Sequence, residues 1–313
     1  MLRWLVAKAA RSIGVLLVST FAVFSLMFGN GPGIARAVAG LRATDEDVAR
    51  LVVELGLDRP LPEQYWSWLT GVIHGDLGRS YFTGQSVSSA LATRVPVTLG
   101  ITAVTVALTA VIAVLLGVAA ATRGGWVDRG VQFGSVLGTA VPSFIVAIAL
   151  VFAFAINVRW LPATGYNSPE RGIGAWLASI TLPTLALLIG SVASAAQQFR
   201  AAAIETMSQD FVRTLRARGV AERAVVFRHV LRNSAGPGLT VLSLQVFGVL
   251  GGAVFIEQVF AIPGIGQLGN KCAQQGDVPM VMGAVVVTIF VVLIVNFAAD
   301  LVASLLNPKA RAK

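Results

Sequence analysis

Long apolar stretches separated by short polar segments dominate the chain. Six of them are long enough to cross, as helices, a hydrocarbon core about 30 Å thick. Their approximate limits are 10–28, 97–121, 131–156, 175–197, 237–256 and 279–302. Pro142 and Pro183 interrupt the third and fourth stretches, which is tolerated where neighbouring groups satisfy the freed carbonyls. The pattern predicts an all-α polytopic membrane protein with six transmembrane helices.

Composition supports this class. Hydrophobic residues make up 56% of the 313 residues and charged residues only 12%, against about 25% charged in soluble domains. The net charge of +9 is explained by a basic cytoplasmic face, so nucleic acid is not needed as a partner. The single Cys272 has no internal disulfide partner and no metal-site spacing.

The basic residues predict the orientation. With both termini inside, 15 of the 24 Lys and Arg lie on the cytoplasmic side, and acidic residues offset the remaining nine outside. The positive-inside rule therefore predicts cytoplasmic N- and C-termini. The sequence Ala35-Arg36-Ala37 resembles a signal-peptidase site, so a removed signal peptide is the alternative for the first stretch. We favour an uncleaved anchor because the apolar run reaches full spanning length.

Residues 29–96 are too polar to span a membrane and are predicted to form a small external helical segment. Thr44 is predicted to cap a helix that begins with Asp45-Glu46-Asp47 and ends before Gly56. A second helix is predicted to start near Pro62. Its aromatic residues Tyr65, Trp66 and Trp68 are expected either to fill a small external core or to lie at the membrane interface.

The chain lacks the sequence features of a transporter that supplies its own energy. None carries Asp, Glu, Lys or Arg near its middle, whereas proton-driven carriers usually place ionisable groups there. The chain also has no G-x-x-x-x-G-K-[ST] phosphate loop. If the protein moves a solute uphill, another subunit must supply the energy.

Several local motifs have ordinary structural explanations. The G-x-G-x-x-G match at 264–269 lacks the βαβ context of a dinucleotide site, so a tight turn or short re-entrant segment is expected. The pairs Gly134/Gly138 and Gly248/Gly252 indicate close helix packing. His74 and His229 have no partners at metal or triad spacing, and no catalytic constellation is found.

The basic loop, residues 200–236, is the most distinctive segment. It carries seven arginines (Arg200, Arg213, Arg216, Arg218, Arg223, Arg228 and Arg232) with Glu205, Asp210 and Glu222 between them. Gly219 is predicted to separate two short amphipathic helices. Phe211 and Leu215 would offer apolar anchors within a basic rim, which suits a groove on a partner protein. A solvated hairpin held inside by its charge, or attracted to anionic lipid, is the alternative.

Several segments resemble a known family. Residues 213–219, Arg-Thr-Leu-Arg-Ala-Arg-Gly, are similar to the E-A-A-x-x-x-G loop of ABC-importer permeases, which the peptide branch varies to R-T-A; Leu215 departs from its alanine. Residues 229–233 match that branch's H-x-L-R-N. The similarity to dipeptide/oligopeptide B-type permeases also covers 56–66, 74–78, 259–266 and 295–311.

The resemblance implies a type I ABC-importer permease working by alternating access. It implies three domains: 1–28 with the first span, an external segment 29–96, and a core 97–313 that contains the basic loop. Implied partners are a second permease in a heterodimer, two nucleotide-binding ATPase domains, an extracytoplasmic solute-binding protein, the lipid bilayer and a peptide substrate. ATP and Mg would be bound by the partner subunits and no cofactor or metal by this chain.

The resemblance places ATPase coupling on the basic loop. The predicted coupling residues are Asp210, Phe211, Arg213, Thr214, Leu215, Arg216, Ala217, Arg218, Gly219, Glu222 and Arg223. Within the spans, the polar residues Asn157, Gln197, Gln198, Gln245 and Asn296 are candidates to line the pore. Interhelical hydrogen bonding is an equal alternative for each of them. Nickel or another small solute remains open as the cargo, and a secondary transporter is the rival class.

Overall fold

The computed structural model describes residues 2–40 and 42–306, and in these ranges the backbone is almost entirely helical. The helices are α1 (Leu2–Phe28), α2 (Gly31–Ala39), α3 (Asp45–Glu54), α4 (Leu61–Ile73), α5 (Val87–Arg123), α6 (Gly125–Ala140), α7 (Ser143–Leu150), α8 (Ile173–Met207), α9 (Asp210–Ala217), α10 (Glu222–Ala224), α11 (Leu231–Val259), α12 (Ile265–Gln275) and α13 (Val278–Leu306). A π-helix, Val151–Asn157, continues α7, and a second, Val225–Val230, joins α10 to α11. The prediction of an all-α protein is confirmed.

The membrane spans follow the predicted apolar stretches. Five helical segments in the described chain are long and apolar enough to cross a membrane: Ala10–Phe28, Val87–Arg123, Ile173–Met207, Val241–Val259 and Val278–Ala298. The third predicted stretch is instead a pair, Gly125–Ala140 and Ser143–Asn157, bent by 93° at Pro142. Counting the bent pair as one span gives six. The C-terminal basic residues Lys309, Arg311 and Lys313 lie outside the described residues.

The described residues form two compact units. One comprises the chain up to Thr98 together with Pro263–Val291. The other comprises Leu99–Ile262 and the described residues from Val292 onward. The division into an external segment, 29–96, and a core beginning at residue 97 stays a prediction.

In the first unit, α3 begins and ends at the residues that the sequence indicates. The Thr44 hydroxyl accepts a hydrogen bond from the Asp47 amide at 3.2 Å, and the Asp47 carboxylate accepts one from the Thr44 amide at 3.1 Å. This reciprocal capping box satisfies two amide groups at the start of the helix. Gly56, with φ +66°, follows the last turn. The predicted cap and stop are both confirmed.

The aromatic residues of α4 differ in burial, and a place for Trp66 at the membrane interface stays a prediction. Tyr65 is buried, and its hydroxyl donates to the Leu17 carbonyl at 3.1 Å and lies 2.9 Å from the Thr20 hydroxyl. Trp68 packs against the same cluster, whereas Trp66 is 65% exposed. Tyr65 and Trp68 therefore fill a small core against α1.

A buried carboxylate ties the chain before α5 to the start of α13. Asp277 is 2% exposed and accepts hydrogen bonds from the Ser80 hydroxyl and, at 3.2 Å, from the Tyr81 amide. Burial, with the Asp277 charge nearby, raises the pKa of Tyr81 to about 12. Burial also raises the pKa of the Cys272 thiol. The hydrogen bonds from Ser80 and Tyr81 to Asp277 hold together two segments of the unit that are distant in sequence.

The G-x-G-x-x-G match is neither a turn nor a nucleotide loop. Gly264 precedes the 11-residue helix α12, which ends at Gly276 in the left-handed conformation. The Ile265 amide donates to the Thr98 hydroxyl at 2.9 Å. Of the two expectations for 264–269, the tight turn was wrong, because residues 265–269 form the first part of this helix. The short re-entrant segment stays a prediction.

In the second unit, close packing around α8 depends on glycines. A Cβ added at Gly138 would lie 2.7 Å from the Ala193 Cβ, and one at Gly252 would lie 3.0 Å from Leu187 Cδ2. A Cβ at Gly134 or Gly248 would meet no atom within 4 Å. Within the described residues, small side chains therefore permit close helix approach at one glycine of each pair, Gly138 and Gly252.

Candidate functional site

The candidate site is the elbow formed by α9, the turn at Gly219 and the start of the following helix at Glu222. Gly219 has φ +73°. Its amide donates to the Arg216 carbonyl at 3.0 Å, and the Val220 amide donates to the Leu215 carbonyl at 3.2 Å. This pair of bonds is a Schellman motif, in which glycine supplies the left-handed residue after the helix. The predicted helix end at Gly219 is confirmed.

A bidentate ion pair closes the elbow. Arg216 Nε donates to Glu222 Oε2 at 3.0 Å, and Arg216 Nη2 donates to Glu222 Oε1 at 2.6 Å. The hydrogen bonds from Arg216 hold the pKa of Glu222 below its usual range. The planar guanidinium matches both carboxylate oxygens, so the pair fixes geometry as well as charge.

The apolar side of α9 faces its own chain. Val212 is fully buried in a cluster with Ala203, Val225 and Val230, and Phe211 and Leu215 pack against that cluster while remaining half-buried. Phe211 and Leu215 thus help to fasten the elbow to the membrane-spanning core of the second unit. Their predicted role as anchors for a partner's groove stays a prediction, because part of each side chain remains exposed.

The surface that remains exposed is basic. Arg213, Thr214, Arg216, Ala217 and Arg218 are all exposed. Arg213 lies 3.6 Å from Asp210, a loose contact between two largely exposed side chains. One further exposed residue, Phe227, was not among the predicted coupling residues and is 62% exposed. Exposed aromatic and arginine side chains are both enriched in protein contact surfaces.

The segment after Gly219 is not a separate short helix. Residues from Glu222 pass through the π-helix Val225–Val230 directly into α11. The predicted second amphipathic helix of a hairpin was wrong, because its residues form the first turns of a long helix that continues into the membrane-spanning stretch Val241–Val259. The elbow is therefore continuous with a span, without an intervening loop.

A second ion pair lies where α8 meets α6. Both carboxylate oxygens of Asp128 accept hydrogen bonds from Arg200, one of them at 2.7 Å, and both side chains are half-buried. Gly117 approaches the same part of α8, where a Cβ would lie 2.8 Å from the Arg200 amide nitrogen. The sequence pattern shows Asp128 and Arg200 as charges near span ends but carries no sign that they meet.

The polar residues proposed for the pore have different surroundings. Gln245 is buried, and its side-chain amide donates to the Ser194 hydroxyl at 3.2 Å, joining α11 to α8. Gln198 lies within 3.4 Å of the same hydroxyl. Asn157 and Gln197 are exposed and Asn296 is half-buried. Gln245 therefore has the interhelical role, and pore lining stays a prediction for the set.

Hydroxyl groups buried in the spans were missed by reasoning from the sequence. The side-chain oxygens of Thr102, Thr109 and Thr184 are buried with no hydrogen-bond partner within the described residues. Thr102 and Thr109 recur at helical spacing along α5 with the buried Thr105. This spacing could have identified the stripe, but threonine in a span is common enough not to draw attention.

Sequence comparison identifies the family. Residues 113–312 match the binding-protein-dependent transport system inner membrane component, and residues 1–102 match the N-terminal component of the same kind of transport system. The chain belongs to this family. It is a permease subunit of an ABC importer and a multi-pass inner-membrane protein, and not an enzyme.

Relatives cover nearly the whole chain. A protein of Sinorhizobium fredii, whose name describes a peptide ABC transporter permease, is 36% identical over 304 residues, covering 94% of this chain and 97% of its own. A protein of Brucella abortus named for a peptide transport system is also 36% identical, with 97% of each chain covered. The glutathione transport system permease of Pectobacterium atrosepticum is 32% identical over all of both chains.

The fold has a solved counterpart. A chain of the MetNI methionine ABC transporter in an inward-facing conformation superposes with a TM-score of 0.57, covering 70% of this chain and 97% of that chain. The two are 19% identical in sequence. At that identity the likeness concerns the fold, which is that of an ABC importer permease.

Proposed function

We propose that this chain is the B-type permease of a peptide importer and that its elbow at Gly219 receives the movement of an ATPase. The chain would pair with a second, similar permease to enclose the translocation path. Two nucleotide-binding domains on the cytoplasmic side would bind ATP and Mg, and an external binding protein would deliver the peptide. Both termini would then lie in the cytoplasm, as the distribution of basic residues favours.

The observation that carries the coupling role is the closed elbow. The Arg216–Glu222 pair and the Schellman turn give α9 a fixed angle to the helix that follows. The buried cluster around Val212 fastens α9 to the core, while its basic face stays open. A rigid element that is exposed on one side and continuous with a span on the other is suited to transmit a push.

Peptide is the cargo that the relatives favour. The relatives from Sinorhizobium fredii and Brucella abortus are named for peptide transport, and the one from Pectobacterium atrosepticum for glutathione, itself a tripeptide. Permeases of this build also carry other small solutes, nickel among them, as the resemblance in sequence implies. The proposal specifies peptide as the cargo and leaves the length of the peptide open.

Reconstitution tests the proposal. The permease pair, ATPases and binding protein are placed in proteoliposomes, and ATP-dependent uptake of labelled di-, tri- and pentapeptides is compared with that of nickel. We expect peptide uptake that requires both ATP and the ATPases. Uptake that continues without the ATPases would identify a secondary carrier, and transport of nickel but no peptide would refute the cargo.

A further inference from the structure

An apolar groove of about 530 Å³ lies on the surface of the second unit, between α5, α6 and α8. Its walls include Ile112, Leu116, Gly130, Gly134 and Ile189, and Trp126 stands at one end. This volume lies in the range of about 300–1,000 Å³ that holds small ligands. The groove is therefore large enough for a ligand and has an almost wholly apolar lining.

The floor of the groove is open because two glycines line it. A Cβ placed at Gly130 or Gly134 would meet no atom within 4 Å. The neighbouring Gly138, by contrast, is closed by Ala193. The groove is thus a preformed space beside the point where α6 and α8 make contact.

The end of the groove marked by Trp126 is cationic. Trp126 is 85% exposed, and the guanidinium carbon of Arg129 lies 5.8 Å from its ring centroid. Arg123, at the end of α5, is exposed nearby in sequence. Tryptophan and arginine at the end of a span are typical of the boundary between hydrocarbon and water.

The local acid does not neutralise these arginines. Both oxygens of Asp128 are bound by Arg200, and one also accepts a hydrogen bond from Gln132 at 2.9 Å. Within the described residues, Arg123 and Arg129 take part in no salt bridge. Trp126, which lines the groove, therefore has positive charge close to it, from Arg129 over its ring and from Arg123 three residues earlier in the sequence, and an anion from outside the described chain can balance that charge.

We propose that this groove binds one anionic glycerophospholipid. An acyl chain would lie in the apolar part, and the phosphate would accept hydrogen bonds from Arg129 and Arg123. Basic residues at the end of a groove between transmembrane helices are the usual recognition elements for anionic headgroups. A second permease packed there would instead cover guanidinium groups, at a desolvation cost that needs matching carboxylates.

The experiment measures lipid retained by the intact transporter, purified through a tag on this chain from mixed phosphatidylglycerol and phosphatidylcholine. Bound lipid is quantified by native mass spectrometry. Gly134→Leu fills the open groove, and Arg123→Gln with Arg129→Gln removes the charge. Gly251→Leu is the matched control, because Gly251 is also exposed with open space at its Cβ.

We expect the wild type and Gly251→Leu to retain phosphatidylglycerol in preference to phosphatidylcholine. Gly134→Leu should lose the retained lipid. In the double glutamine variant, the preference for phosphatidylglycerol over phosphatidylcholine should fall about 10- to 30-fold. Retention unchanged in Gly134→Leu, or no preference in the wild type, would overturn the proposal. If Gly134→Leu separates the two permeases but leaves lipid retention intact, a protein occupies the groove, and this result would also overturn the proposal.

Discussion

Arg216 and Glu222 form a two-pronged ion pair across the turn at Gly219, with nitrogen–oxygen distances of 3.0 and 2.6 Å. The two side chains are 45% and 56% exposed, so the pair adds no more than about 1 kcal/mol to stability. Its larger effect is geometric, because it sets the angle between α9 and the helix that enters the membrane. This angle is what a coupling element must preserve.

Breaking the pair should uncouple transport with little loss of stability. Arg216→Ala and Glu222→Ala should each lower ATP-driven uptake while changing the free energy of unfolding by less than about 1 kcal/mol. Uptake in proteoliposomes measures the loss of transport, and thermal melting measures the change in stability. The exchanged protein, Arg216→Glu with Glu222→Arg, should recover uptake. If uptake by the exchanged protein is no higher than uptake by the single variants, the role of the pair is contradicted.

Gly219 should be sensitive because of its backbone conformation. Gly219→Ala places an L-residue at φ +73° and should cost about 1–2 kcal/mol, and Gly219→Pro should abolish transport while leaving membrane insertion intact. Gly84→Ala is the matched control, since Gly84 has φ +67° and equally open space. Both alanine variants should be strained, but only Gly219→Ala should lower uptake. Equal effects on transport would indicate strain alone.

The sequence was informative wherever a local rule decides the structure. Hydrophobic length predicted the spans, Thr44 and Asp47 predicted the start of α3, and Gly219 predicted the end of α9. Tertiary contacts were beyond such rules. The period of α9 shows an apolar face, but whether Phe211 and Leu215 meet a partner or their own chain depends on Val225 and Val230, which only the fold brings there. The ion pair between Asp128 and Arg200 is hidden for the same reason.

Val212 should anchor the elbow to the core. Val212→Ala removes a fully buried side chain and should destabilise by about 1–3 kcal/mol. The neighbouring Arg213→Ala removes a side chain that is 77% exposed and should leave stability almost unchanged. Thermal melting and protease cleavage within 208–221 measure the difference. Equal melting temperatures for the two variants would mean that the cluster does not hold α9.

Tyr81 should ionise only at high pH. Its pKa is raised to about 12, first by burial and then by Asp277. The fold favours the neutral phenol, so its contribution to stability is complete below the unfolded pKa of about 10 and is lost as the pH rises through 12. The absorbance difference between the wild type and Tyr81→Phe measures this titration, and Asp277→Asn should shift it to lower pH. A midpoint near 10 in the wild type would contradict the buried environment.

Cross-linking from the exposed face of α9 tests the coupling role most directly. Cys272 is the single native cysteine and is buried, so Cys272→Ser gives a background for Ala217→Cys and, as a control outside the basic loop, Gln85→Cys. In the assembled transporter, a short thiol-reactive cross-linker should join Ala217→Cys to the ATPase subunit in a nucleotide-dependent manner, and Gln85→Cys should not react with it. An active, assembled transporter in which Ala217→Cys never links to the ATPase would contradict the account.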